Sequence, residues 1–242
     1  MTAAGRLRRS GPVAAGVVII VLGAGLALAV TTGGTRSPGL ARRSPAPSAA
    51  PGSSRPQLPR TGLAGLRWSG YHGVQLPSSP AAGPHHIENG LAWGFADTPL
   101  GALLAALNIA VRANAQWGPD VFVATIRNQV TGPGAAALLA SCEADYGQAS
   151  QAAHITGGQP LGNVFVTEEA FRWVGWSPAD ATVDLVSAGP GSQGATIRAS
   201  TRVQVVWSGG DWRVVAPPGG DWGNAAARLT SLAGYTVFPG QG

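Results

Sequence analysis

The sequence predicts an α+β domain held behind an N-terminal transmembrane helix and a disordered linker. Three observations predict it. Residues 13–30 form an uncharged apolar run, and residues 31–86 are rich in Pro, Gly, Ser and Arg. From residue 87 the hydrophobic period is helical at first and alternating afterwards, which orders helices before strands.

Residues 1–12 are a short basic tail carrying Arg6, Arg8 and Arg9. The eighteen residues "VAAGVVIIVLGAGLALAV" follow. At about 1.5 Å per residue they reach roughly 27 Å, close to the thickness of a bilayer's hydrocarbon core. The run is longer than the apolar core of a secretory signal peptide, about 7–15 residues. Ala27-Leu28-Ala29 nevertheless has the form of a cleavage site, so release as a secreted soluble protein is the alternative. A very short tail before a single span favours a cytoplasmic N-terminus and an extracytoplasmic C-terminal domain, although Arg36, Arg42 and Arg43 partly balance the charge across the span. Residues 31–86 cannot bury enough apolar surface to offset the entropy of ordering and read as a tether. Within them Leu63, Leu66, Trp68 and Tyr71 are suited to pack on the domain as a lead-in.

The domain is expected over 87–242. Thr98 is a good helix N-cap, and Pro99 sits where a missing N–H costs nothing. Leu100, Leu103, Leu104, Leu107 and Val111 then form one apolar stripe. "PDVFVATIRNQVT" places Phe122, Ile126 and Val130 on one side of a second helix, and "GPGAAALLASCEADYGQASQAAH" is an alanine-rich third. Cys142 falls on the apolar face of that third helix as a small buried hydrophobe. Being the single cysteine, it excludes an intramolecular disulfide. After Gly157-Gly158 the pattern alternates. "NVFVTEEAFRWVGW" slips midway, predicting a bend or bulge. "ATVDLVS" puts Ala181, Val183 and Leu185 on one face. "GATIRASTRVQVVW" puts Ile197, Ala199, Val203, Val205 and Trp207 inward, with Arg198, Ser200, Arg202 and Gln204 on the other face. "DWRVVA" adds Trp212 and Val214. The sum is three helices followed by a curved antiparallel sheet of about four strands.

Gly-Gly-Asp-Trp occurs twice, at 209–212 and 219–222. In the first copy Gly209-Gly210 suits a primed two-residue hairpin turn. That turn sets Ser208 opposite Asp211 and Trp207 opposite Trp212, so both tryptophans face the core. The second copy follows Pro217-Pro218, which cannot continue a central strand. Gly219, Gly220 and Asp221 are therefore a turn, and Trp222 an anchor for the C-terminal tail on the sheet. A catalytic pairing of Asp211 with Asp221 would require the two loops to converge.

"GFADTPLGALLAALNIAVR", "TVDLVSAGP", "VVWSGGDWRVVAPPGGDWG" and "SLAGYTVFPG" resemble an uncharacterised family of membrane-anchored actinobacterial proteins, frequent in Streptomyces and often found in integrative or conjugative elements. The resemblance covers about residues 88–242 and implies no catalytic residues. The layout is also similar to the cystatin-like cone of nuclear-transport-factor-type domains. Behind one span, that cone resembles assembly subunits of type IV secretion and conjugation machines. What the likeness implies is a protein-interaction role.

Charge and chemistry point the same way. The formal net charge is +5, with all sixteen basic residues arginine, the mark of a GC-rich genome. Residues 1–60 hold eight arginines and no acid, whereas 61–242 hold eight arginines against eleven acids, a net −3. The folded part is thus a poor nucleic-acid binder. His85-His86-Ile87-Glu88 is the densest group of potential metal ligands but lacks a third His or Cys at useful spacing. Glu168-Glu169 reads as one solvent-facing and one edge acid, and His154 as a helix-end residue. No phosphate loop or nucleophile elbow is present. No catalytic residue, metal ligand or cofactor is expected, and the protein is read as a non-enzyme. Its expected partners are the membrane through 13–30 and other proteins, with a homo-oligomer compatible. The other alternative is a small-molecule-binding or enzymatic cone, its pocket lined by Trp173, Trp176, Phe165 and Tyr146.

Overall fold

The computed structural model describes residues 58–240. The basic tail, the span at 13–30 and the first part of the linker lie outside the described residues. No helix among the described residues is long and apolar enough to cross a membrane.

Two hairpins come first: β1 (Arg67–Tyr71) with β2 (Val74–Ser78), and β3 (His86–Glu88) with β4 (Leu91–Trp93). Helix α1 (Pro99–Arg112) follows, then α2 (Pro119–Gln129), the two-residue strand β5 (Val130–Thr131) and α3 (Ala135–Ala153). The remaining strands are β6 (Thr167–Trp176), β7 (Asp180–Pro190), β8 (Thr196–Ser208), β9 (Asp211–Val215), β10 (Ala226–Leu229) and β11 (Thr236–Val237).

The helices do not come first as expected, because Asn89-Gly90 closes a hairpin ahead of α1, and two further expectations change. The sheet has seven strands rather than four, in the order β11-β6-β7-β8-β9-β5 with β10 also on β8. The four long strands are those predicted. The three additions are two to four residues each, too short to show a period, and β5 pairs parallel with β9 directly after a helix. The linker boundary at 86 also moves, because β1 and β2 lie inside the stretch read as disordered. Val74 and Leu76 alternate into the core at 4% and 3% exposure, and Leu63, Leu66, Trp68 and Tyr71 pack against it. The flanking Pro and Gly residues masked a short hairpin.

Three two-residue turns share one chemistry. His72-Gly73, Asn89-Gly90 and Gly209-Gly210 all have positive φ at both positions, as primed hairpin turns require. The slip foreseen in β6 is present as two register shifts, between Glu168 and Ala170 and between Trp173 and Gly175.

Helix α1 is the axis of the core. Thr98 Oγ1 caps it by accepting from Gly101 N at 3.1 Å, and every residue from Gly101 to Arg112 is buried. The sheet (β7, β8 and β9) contacts it, as do β2, β4 and α2. Leu103, Leu104, Leu107 and Ile109 are completely buried. Each contributes about 1.5–3 kcal/mol relative to exposure.

Candidate functional site

The first Gly-Gly-Asp-Trp copy forms the turn between β8 and β9, with Trp207 opposite Trp212 and Ser208 opposite Asp211. The two indoles meet edge to face with centroids 5.4 Å apart. Asp211 does more than turn the chain. Its Oδ2 accepts from Gly94 N at 2.8 Å and its Oδ1 from Phe95 N at 3.0 Å and Trp212 N at 2.9 Å. The buried Trp212 donates from Nε1 to Ala96 O at 2.9 Å. The hairpin is thereby fastened to the loop that leads into α1.

The second copy lies at the other end of the same helix. Gly219 and Gly220 both have positive φ, and Asp221 Oδ1 accepts from Gly223 N at 2.7 Å. Trp222 is buried and donates from Nε1 to Ala113 O at 3.0 Å, satisfying a carbonyl at the C-cap of α1. The expected anchor on the sheet is thus an anchor on the helices. Pro217 and the following turn carry the chain off the sheet, and Gly220 runs against the start of α3, where a Cβ would lie 2.4 Å from Leu138 N. Asp211 and Asp221 serve opposite ends of a 14-residue helix. They form no catalytic pair.

The remaining expected positions are placed as follows. His86, on the exposed strand β3, stacks on the half-buried Trp93 of β4, and no group of three or more metal-ligating side chains occurs among the described residues. His154 is the left-handed C-cap of α3. Glu169 pairs with Arg198, but Glu168 is not solvent-facing. It is completely buried, with Ser187 Oγ hydrogen-bonded to both carboxyl oxygens at 2.9 and 2.8 Å. Burial, only partly opposed by that hydroxyl, pushes its carboxyl up to about 7. The β6 register shift turns Glu168 inward, which alternation alone does not reveal. Cys142 is buried, and burial pushes its thiol up to about 12, so it is an inert packing group at neutral pH. The four aromatics proposed to line a helix–sheet pocket separate: the buried Trp173 meets the half-buried Trp176 edge to face, Trp176 in turn lies tilted against Trp212, Tyr146 packs on Phe122, and Phe165 is exposed.

A different site stands out on the face of the sheet turned away from α1. Arg172 on β6, Asp184 on β7 and Arg202 on β8 are direct cross-strand neighbours. Arg172 Nη2 donates to Asp184 Oδ2 at 2.7 Å, while Arg202 Nε and Nη2 donate to Oδ1 and Oδ2 at 2.8 and 3.2 Å. The Asp184 side chain is 4% exposed, the two arginines 44% and 55%. Burial pushes the Asp184 carboxyl up, but the hydrogen bonds and charges of Arg202 and Arg172 outweigh it and hold it below the usual value. Arg172 also lies over the Tyr235 ring, 4.5 Å from its centroid, and Tyr235 Oη is 3.1 Å from Ser200 Oγ.

These residues floor an open groove of about 690 Å³. Gln204, Thr182 and Val215 extend the floor, and the C-terminal segment with Pro217, Pro218 and Arg228 forms a wall. Sequence alternation placed Ser200, Arg202 and Gln204 on the polar face, but nothing in it reveals that Arg172 and Asp184 share their row, because that depends on register. A second cavity of about 590 Å³ lies between α3 and the second Gly-Gly-Asp-Trp turn and includes Cys142, Asp145 and Trp222. Burial, then the Asp221 charge, raises the Asp145 carboxyl above its ordinary value.

Sequence reasoning also missed a buried guanidinium. Arg112 is 2% exposed, donates to Asn108 O and Oδ1 at 3.0 and 2.8 Å, and lies 4.5 Å from the Tyr71 ring centroid. Burial lowers its pKa to about 10. It lies at the end of the helix read as an amphipathic stripe, under the Tyr71 ring of the unforeseen β1–β2 hairpin.

No curated protein and no solved structure matches the chain significantly. The model of a family described as a domain of unknown function (DUF8175) matches residues 30–237, which is most of the chain, and the chain belongs to that family.

Proposed function

We propose that this chain is a single-pass, membrane-anchored extracytoplasmic domain that binds protein partners and carries out no reaction of its own. The observation that carries this reading is the groove on the outer face of the sheet. It is open and preorganised, its lining contains neither His nor Cys, and its one carboxylate is locked between two guanidiniums. A carboxylate so held is a poor general base, whereas fixed arginines are good recognition elements. The uncharged run at 13–30, with arginines before it, supports the anchor.

The finer proposal is an accessory or assembly role in a conjugation or type IV secretion-like apparatus. What supports it is the layout of tail, span, tether and domain, with three helices preceding the long strands in the manner of a cystatin-like cone. Fold-level likeness alone does not establish function.

The test is fractionation of cells expressing the full chain. It should remain in the membrane after alkaline carbonate extraction, and added protease should remove the domain from intact spheroplasts. Recovery of uncleaved chain in the soluble fraction would overturn the anchor. N-terminal sequencing that begins near Ala29 would replace it with secretion. Crosslinking in cells should capture a protein partner, and capture of transfer-apparatus proteins would carry the finer proposal.

A further inference from the structure

We infer that the groove on the outer face of the sheet binds an extended acidic peptide segment, seating an Asp or Glu carboxylate between Arg172 and Arg202. The inference rests on the reading of the chain as a protein-binding domain and names the chemistry of the partner.

The first support is the unused donor capacity. A guanidinium has five N–H donors in a fixed fork. Arg172 spends Nη2 on Asp184, and Arg202 spends Nε and Nη2. Arg172 Nε and Nη1 and Arg202 Nη1 have no protein acceptor among the described residues. Asp184 and the Tyr235 ring hold the two forks in place before any ligand arrives. Preorganisation of this kind reduces the entropy lost on binding, and charge-assisted, bidentate geometry favours a planar oxyanion.

The second support is the charge distribution. Three of the eight arginines beyond residue 60 line this one groove: Arg172, Arg202 and Arg228. Arg228 is exposed and forms no ion pair among the described residues, so the groove carries a surplus of two positive charges over Asp184. The part of the chain that surrounds it, 61–242, is net −3. A surplus of two suits one or two carboxylates. A long polyanion would meet repulsion from the rest of the surface and needs a far wider basic stripe. The chain's own N-terminal segment is excluded as occupant, since residues 1–60 contain arginines and no acid.

The third support is the shape. The volume lies within the range of about 300–1,000 Å³ typical of ligand sites. Pro217, Pro218 and Ala225–Ala227 give the walls an apolar character beside the charged floor. Apolar walls over an arginine pair fit a peptide in which small apolar residues flank an acid.

The experiment is selection of phage-displayed random heptapeptides on the full chain in nanodiscs of zwitterionic lipid. The expected result is enrichment of sequences with one or two Asp or Glu residues flanked by apolar residues. The selected peptides, labelled with fluorescein, should bind an Arg172→Gln/Arg202→Gln double variant at least tenfold more weakly. Their Gln or Asn counterparts should bind the unaltered chain at least tenfold more weakly as well. Arg228→Gln lies outside the Asp184 network, so it should weaken binding about two- to fivefold with an unchanged melting temperature, and Arg127→Gln should change nothing. This arm keeps the test valid if the double variant melts early. Acidic peptides that bind every variant equally would sink the groove assignment while leaving the protein-binding reading intact. Failure to enrich any peptide would count against both. Inorganic polyphosphate binding that is lost in the double variant, without acidic peptide binding, would make the groove a polyanion site and overturn the inference.

Discussion

The two Gly-Gly-Asp-Trp copies are identical words with different neighbours. In both, the indole N–H reaches a backbone carbonyl flanking α1: Ala96 O before its start and Ala113 O at its end. The glycines differ. A Cβ on Gly210 would meet nothing within 4 Å and one on Gly209 only the far end of Arg213, whereas a Cβ on Gly220 would strike the α3 backbone. The aspartates differ too, since Asp211 accepts three backbone N–H groups and Asp221 one. One copy is a strand turn that has acquired a fastening role. The other is a fastening that needs close approach. Together they staple both ends of the most buried helix, so a motif that looks like a ligand signature is a clamp.

The largest effect should come from the tryptophans. Trp212 makes ring contacts with both Trp176 and Trp207, while Trp222 borders a cavity. Trp212→Ala should lower unfolding free energy by about 5 kcal/mol and Trp222→Ala by about 3 kcal/mol, read by urea denaturation. Equal losses would mean that the two anchors are energetically alike and that the cavity gives Trp222 no room to relax.

Next come the glycines. Gly220→Ala combines positive φ with a backbone clash and should cost about 3 kcal/mol. Gly209→Ala and Gly210→Ala carry the φ strain alone, about 1 kcal/mol each. The Gly209→Val/Gly210→Val double variant should lose clearly more thermal stability than either. If it melted like the unaltered chain, the primed hairpin would be wrong.

The smallest difference lies in the aspartates. Asp211→Ala leaves the Gly94 and Phe95 N–H groups without their partner and should cost about 2 kcal/mol. Asp221→Ala loses a local cap worth about 1 kcal/mol. Amide hydrogen exchange gives the sharper readout: Gly94 and Phe95 should exchange faster in the first variant only.

Much of this was legible in the chain. Thr98, Pro99 and the leucine stripe specify α1 through local rules, and alternation specifies β6 to β9. Trp207 facing Trp212 follows from turn chemistry alone. What alternation could not supply was any fact that depends on register or on distant chain. The Arg172–Asp184–Arg202 row requires three strands to be aligned at once. The packing of β2 on α1 and of Tyr71 over Arg112 depends on a hairpin from a stretch whose composition reads as tether. Asn89-Gly90 was the exception, a strong hairpin signal lying in plain view beside two histidines.

Trp68 Nε1 donates to Pro239 O at 3.1 Å, its ring meets Phe238 edge to face, and Trp173 Nε1 donates to Thr61 Oγ1 at 2.9 Å. The chain therefore enters and leaves the fold at one pole. A pull applied at residue 58 is met first by Thr61, Trp68 and the β1–β2 hairpin, before tension reaches α1 or the outer face of the sheet. A load drawn through residue 58 should therefore peel this peripheral entry segment first, while the arginine groove keeps its shape.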